Sequence, residues 1–366
     1  SFLSLYLTED LNLSLAQVGW VMTSFGVGSL LGSWLGGKLT DKIGFYQVMF
    51  WSLLLTGFLF IGLQYVSTFY GFAIGIFLTM TVADTFRPAM FVSLKAYSKP
   101  ENQTRSLTLI RLAINLGFSA GPAVGGLIIT TLGYSGLFWV DGITCILATI
   151  LLIKVLNPRV SKPIDNIQVE NPISVYKDKP FWIFFVAMVI FGIIFLQYFS
   201  TITIYYKDIH ALSELQIGLI LGINGLLIFI FEMPLIKWLE NTKYTKLGLM
   251  YFGAILTGLS LLILNFTSWS GVLIIGMVLM TVGEMVAFPF SNAFAVNRAQ
   301  KGNQGEYMAL YSMSFSIAHI FGHNAGLQMT ASFGYDNTWY IVSSIAALCA
   351  LILFVLNRNL NSKRLL

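Results

Sequence analysis

Two acidic residues sit where acids are costly. Met80-Thr81-Val82-Ala83-Asp84-Thr85-Phe86-Arg87-Pro88 is nearly repeated as Met280-Thr281-Val282-Gly283-Glu284-Met285-Val286-Ala287-Phe288-Pro289. Each copy places a carboxyl inside a long apolar run, with a proline four or five residues later. Insertion scales put the cost of a charge there at about 2.5–3.5 kcal/mol, so it is kept where it faces a cavity or a partner. Asp84 has Arg87 three residues on, which predicts a self-neutralised pair on one helix face. Arg111 is the alternative partner. Glu284 has no base within a turn and is the expected site of proton binding and release, the other reading being a permanently neutral, hydrogen-bonded acid. Matched carboxyls with opposite surroundings suit a machine in which one titrates and the other holds charge.

Other polar groups fall in apolar runs as well. Glu232, followed by Met233-Pro234, is either a structural hydrogen-bonding group or a second proton site. Asp141 lies near a helix end and reads as a packing or capping residue. His319 and His323 are four apart and share one helix face. An H-E-x-x-H motif would indicate a metalloprotease, but position 320 is isoleucine, so the catalytic acid is absent. The pair is expected to line a cavity or to take part in proton movement; no metal and no cofactor are expected. Trp20, Tyr198, Tyr205, Phe288, Tyr311 and Phe315, together with Asn115, are the expected cavity lining.

The elements that must position these groups are membrane helices. The sequence is 56% hydrophobic and 10% charged, against about 25% charged in soluble domains. That balance excludes an ordinary soluble globule. A spanning helix needs about 20 residues, so the 366 residues hold roughly a dozen spans with short loops. The net charge of +5 is spread over those loops and reads as an orientation signal rather than a nucleic-acid footprint. Cys145 and Cys349 both fall inside expected spans, which makes a disulfide between them an unsuitable reading.

Helices are expected at 15–37, 46–65, 69–95, 106–131, 134–156, 181–206, 214–239, 245–265, 271–296, 304–331 and 337–357, with residues 1–7 as the last turns of a further span. The polar stretch from 157 to 180 carries four prolines and reads as a cytoplasmic linker between an N-terminal half (1–156) and a C-terminal half (181–366). Ser14-Leu15-Ala16-Gln17-Val18-Gly19 matches Ser213-Glu214-Leu215-Gln216-Ile217-Gly218 at an offset of 199, Asp84 matches Glu284 at 200, and Gly121, Gly125 and Gly133-Tyr134 match Gly322, Gly326 and Gly334-Tyr335 at 201. An offset that constant indicates two six-helix halves related by duplication. By the same offset the first helix falls largely outside this sequence. Basic residues gather on one side of the alternating loops, with Lys207 alone on the other, which predicts cytoplasmic termini.

Gly37-Lys38-Leu39-Thr40-Asp41-Lys42-Ile43-Gly44 resembles the loop signature of the major facilitator superfamily, with Phe45 and Tyr46 in place of its closing basic pair. The resemblance implies that Gly37, Asp41, Lys42 and Gly44 form a cytoplasmic gate, Asp41 latching onto a neighbouring helix end. Gly117, Gly121, Pro122, Gly125 and Gly126 resemble the G-x-x-x-G-P-x-x-G-G motif of the superfamily's antiporters. Small residues at that spacing allow close helix approach. Ile114-Asn115-Leu116-Gly117 is also similar to the I-N-x-G of proton-coupled oligopeptide symporters.

The resemblance implies an all-α integral membrane protein of the major facilitator fold that moves a small solute by alternating access. The expected activity is proton-coupled export of a small amphipathic organic substrate, with proton-coupled symport of peptides or another solute as the alternative. The expected partners are that substrate, protons and the lipid bilayer of a bacterial cytoplasmic membrane, with no nucleic acid, the protein acting as a monomer.

Overall fold

The computed structural model describes residues 2–97, 103–157, 174–299 and 304–362. Among them no strand occurs, and nine stretches are long and apolar enough to cross a membrane. The helices are α1 (Leu3–Glu9), α2 (Leu15–Ile43), α3 (Phe45–Leu63), α4 (Phe69–Ala83), α5 (Phe86–Tyr97) and α6 (Gln103–Val155), followed by α7 (Lys179–Leu196), α8 (Thr201–Asp208), α9 (Glu214–Glu240), α10 (Lys246–Leu262), α11 (Gly271–Ala299) and α12 (Gln304–Ser362).

Two of these are hairpins of spans. At 1.5 Å per residue a straight helix of 53 or 59 residues would be about twice the bilayer thickness. The chain turns back at Gly133 (φ 72°) in α6 and at Gly334 (φ 78°) in α12, a backbone region that only glycine enters without strain. These glycines are 201 residues apart, as the repeat requires. The helix starts repeat as well: Ser14 with Gln17, and Ser213 with Gln216, form the same reciprocal capping box at the heads of α2 and α9.

Two expected spans are broken. Instead of one helix over 69–95, α4 ends at Ala83 and α5 begins at Phe86. Pro88 has no N–H to give to the carbonyl four residues earlier, which is that of Asp84. The span expected at 181–206 starts at Lys179, two residues early, and is interrupted between Leu196 and Thr201. There the Gln197 side chain takes over, its Nε2 donating to the carbonyls of Ile193 and Gly322, each at 2.8 Å. The last helix runs to Ser362 rather than to 357.

The helix ends define two faces. One, the Glu9 side, holds the α1–α2 and α8–α9 turns and both glycine hairpins; the other, the Gly44 side, holds the α2–α3 turn and the ends of α9 and α11. The halves meet tightly toward the Glu9 side. A Cβ added at Gly218 of α9 would lie 2.3 Å from the Pro122 carbonyl of α6, and one at Gly126 would lie 2.5 Å from the Glu214 carbonyl. The α2–α12 seam is hydrogen-bonded: Asn324 Nδ2 donates to Thr23 Oγ1 (2.9 Å) and Gln328 Nε2 to the Ala16 carbonyl (3.1 Å). Thr23 Oγ1 donates to the Ile320 carbonyl (3.3 Å). These hydrogen bonds between halves, and the ion pair of Lys207 with Glu9, lie at or beyond Ile320 toward the Glu9 side.

Candidate functional site

The repeated acids end up in unlike places. Glu284 lies within the continuous helix α11 and faces α9, where Asn224 Nδ2 donates to its Oε2 at 2.8 Å. The same amide lies 3.1 Å from Thr281 Oγ1 and 3.7 Å from Met280 Sδ. Glu232 is eight residues beyond Asn224 on the same face of α9, buried, and close enough to Glu284 for their charges to interact. Two carboxyls and an amide thus share one seam. Asparagine suits it because its amide offers donors to a carboxylate and an acceptor to a carboxylic acid. Sequence reasoning missed Asn224; its only signal is a polar residue at i−8 from Glu232 on an apolar helix.

Asp84 sits at the α4–α5 break as the C-cap of α4, its backbone N–H donating to the Met80 carbonyl. The expected helical pairing with Arg87 is not formed: the break removes the one-turn relation, and Arg87 is exposed beyond ion-pair distance, although its charge still reaches Asp84. Arg87 also acts electrostatically on His319 across the halves. His319 Nδ1 and His323 Nε2 are 3.4 Å apart, and Phe25 of α2 packs its ring against both, centroids 6.2 and 6.4 Å away. His323 is buried and its Nδ1 has no hydrogen-bond partner. The two histidines therefore face the seam between halves, near the level of Asp84 and Arg87.

Several expected cavity residues are packing residues instead. Tyr198 is fully buried at the α7–α8 break, its hydroxyl donating to Ser260 Oγ at 2.7 Å. Tyr205 belongs to an aromatic cluster on the Glu9 side with Tyr206, His210, Tyr335 and Trp339. Neither lines a cavity, because aromatic bulk in the second half fills its own core. Phe288 packs on Phe191, Phe195 and Phe315, and Tyr311 bonds Ser291 at 2.7 Å while meeting Phe315 edge-on. Trp20 is exposed on an outer groove with Phe69, Tyr70 and Phe77. The side chains of Asp41, Arg111 and Asn115 lie outside the described residues. Gly37 and Lys42 lie near the end of α2, and Gly44 turns the chain into α3 with φ 86°.

The antiporter-like motif does two jobs. Pro122 and Gly126 make the close α6–α9 approach described above. Gly117, Gly121 and Gly125 instead border an apolar cleft of about 540 Å³ enclosed by α1, α3, α4 and both limbs of α6, with Asp141 at its margin. Their counterparts Ala318, Gly322 and Gly326 in α12 seat α7: Ala318 meets Gly192, Gly322 meets Ile193, and Gly326 meets Gln197 and Thr201. In the first half Phe2 reaches Gly125.

Asp178, unremarked at the sequence level, forms a second ionic centre on the Gly44 side. It caps α7 by accepting from the Phe181 N–H, and Arg298 of α11 grips both its oxygens (Nε to Oδ2 2.6 Å, a terminal nitrogen to Oδ1 2.7 Å). Tyr307 of α12 donates a further bond at 2.8 Å. Burial opposes ionisation of this carboxyl, but the Arg298 and Tyr307 bonds outweigh it and hold Asp178 below the usual carboxylate range.

A sequence profile described as Major Facilitator Superfamily matches residues 1–323. A Na(+), Li(+), K(+)/H(+) antiporter of Planococcus maritimus is 21% identical, the match covering 96% of this chain and 89% of that protein. The uncharacterized MFS-type transporter YqjV of Bacillus subtilis (strain 168) is 22% identical, with 96% and 86% covered. Among solved structures, a POT family transporter in complex with 5-aminolevulinic acid superposes with a TM-score of 0.82 at 15% identity, covering 97% of this chain and 91% of that one. The nucleoside transporter NupG gives 0.73 at 14% identity, covering 97% and 95%.

Proposed function

The chain belongs to the Major Facilitator Superfamily, a multi-pass membrane transporter, and on that premise we propose that it couples proton movement to solute export by alternating access. The observation that carries the reading is the Asn224–Glu284 contact. Glu284 is held by a group that can bond it protonated or ionised, with a second carboxyl, Glu232, in the same seam. A carboxyl so placed can change protonation without stranding its partner. Proton binding there would alter the relative stability of the two open states and link the gradient to transport. Glu284 is the primary proton site, Glu232 its neighbour; Asp84, Arg87, His319 and His323 form the polar surface along which the halves separate. Asp41, Lys42 and the glycines around them act as the gate on the Gly44 side.

Proton antiport is supported by the relative whose name describes exchange of alkali cations for protons. The substrate proposed is a small amphipathic organic molecule. A second reading, alkali cation exchange, draws on the same relative and on the Glu9 side, where Glu9, Asp10, Asp208, Glu214 and Asp336 face one base, Lys207, among the described residues. A face so charged raises the local concentration of cations. The Gly44 side, which carries the other loop bases, is proposed to be cytoplasmic, in a bacterial cytoplasmic membrane.

The test is transport in proteoliposomes carrying an internal pH dye and an imposed pH gradient. Ethidium, tetraphenylphosphonium, Na+ and K+ serve as probes. Collapse of the gradient on adding ethidium or tetraphenylphosphonium supports organic solute antiport; collapse with Na+ or K+ alone supports the cation reading. A wild-type protein that moves these probes with no proton flux contradicts proton coupling.

A further inference from the structure

The pseudo-symmetric halves present the same device at the Glu9 side. Tyr134 donates to Glu9 Oε2 at 2.7 Å, and its counterpart Tyr335 donates to Asp208 Oδ2 at 2.7 Å, Asp208 standing 199 residues after Glu9. The symmetry fails at the residue before the acid. The neighbour of Asp208 is Lys207, whereas the corresponding neighbour of Glu9 is Thr8. Tyr134 occupies one oxygen of Glu9, and Lys207 of the other half reaches the second, Oε1, at 3.5 Å. The same ammonium bonds Glu214 at the head of α9. Glu214 is the residue whose carbonyl abuts Gly126 of α6, so the ion pair borders a close backbone contact between halves.

We propose that Lys207 is the gating residue of the Glu9 side: its bond to Glu9 latches the two halves together there, and must break before that side opens. The proposal rests on the alternating-access reading. This ion pair joins the halves, whereas Lys207–Glu214 and Arg298–Asp178 each stay within the second. It joins α1 to α8, the short helices that lead into α2 and α9, so a separation at this face acts on it directly. Thr8 in the other half offers no return bond of the kind, its hydroxyl donating back to the Ser4 and Leu5 carbonyls of its own helix. The latch is thus asymmetric. Both side chains are about a third exposed, 29% for Lys207 and 31% for Glu9. A partly hydrated pair of this kind biases an equilibrium without locking it.

The experiment places spin labels at Ser135 and Asn337, exposed positions just beyond the two hairpin glycines, in a Cys145→Ser/Cys349→Ala background. Distances are measured by pulsed electron spin resonance in nanodiscs, with and without a pH gradient-mimicking acid step. The wild type is expected to show a dominant short distance and a minor long one. Lys207→Ala and the milder Lys207→Gln should raise the long-distance population about threefold, and exchanging the charges by Lys207→Glu with Glu9→Lys should restore the wild-type ratio. An unchanged ratio in both single variants, with two distances still seen, overturns the latch and leaves alternating access standing. A single distance in every variant and condition overturns the alternating-access reading and the latch with it.

Discussion

Asp178 and Glu284 are carboxyls of the same half, both enclosed and both hydrogen-bonded, yet they are furnished for opposite tasks. Asp178 is held by a two-pronged arginine, a tyrosine hydroxyl and a helix N–H. Every one of those groups is a donor, so the site has a use for the carboxylate alone. Glu284 meets a side-chain amide and, at longer range, another acid. That arrangement accommodates either form of the group. The difference teaches that enclosure of an acid does not mark a proton site; the chemistry of its partners does. Asp84 lies between the extremes, at a helix break with a cation out of contact.

The largest effect that would test this contrast is at Asp178. Asp178→Asn leaves Arg298 without its counter-ion, and breaking a buried pair costs about 3–5 kcal/mol. Thermal unfolding in detergent should fall sharply, while proton coupling in the surviving fraction is retained. The pH dependence follows from the depressed carboxyl. Its stabilisation is fully present above the ordinary aspartate range and is lost as pH falls below about 4, toward the native value. Wild-type stability should therefore decline over that acid window, and the decline should flatten in Asp178→Asn. A parallel decline in the variant would mean that the clamp is not an ionic one.

Next in size is Asn224→Leu, which removes the amide from Glu284. A buried polar group deprived of its partner costs about 1–3 kcal/mol, and gradient-driven transport should be lost. Combining it with Glu284→Met should return most of the stability and none of the coupling. If the single variant transports normally, the amide has no part in proton exchange.

The smallest effect is expected at Asp84. Because Arg87 is not in contact, Asp84→Asn should cost less than about 1 kcal/mol, measured by the same unfolding assay. A loss as large as that at Asp178 would show that Arg87 depends on Asp84 after all.

Much of this was legible from the residues. The offset near 200 located both hairpin glycines, both capping boxes and the two acids, because duplication preserves local signals. It could not anticipate how the copies diverged. The pairing of Asp84 with Arg87 assumed an unbroken helix, and the effect of Pro88 on the carbonyl of Asp84 was already available as a warning. Tyr198 and Tyr205 were assigned to a cavity by helix alone; which face a side chain takes on a helix apolar all round cannot be read from periodicity. Asp178 and Arg298 stand 120 residues apart in sequence, and no local pattern joins them. The one clue was Asp178-Lys179-Pro180, an acid followed by proline at a helix start.

The central claim, that Glu284 exchanges a proton whereas Asp178 does not, can be tested without knowing the substrate. Infrared difference spectra of the protein in lipid, taken between acid and alkaline pH in H₂O and D₂O, report protonated carboxyls through their isotope-sensitive C=O stretch. The account predicts a pH-dependent carboxylic acid band in the wild type that disappears in Glu284→Gln and persists in Asp178→Asn. A band unchanged in Glu284→Gln would contradict it.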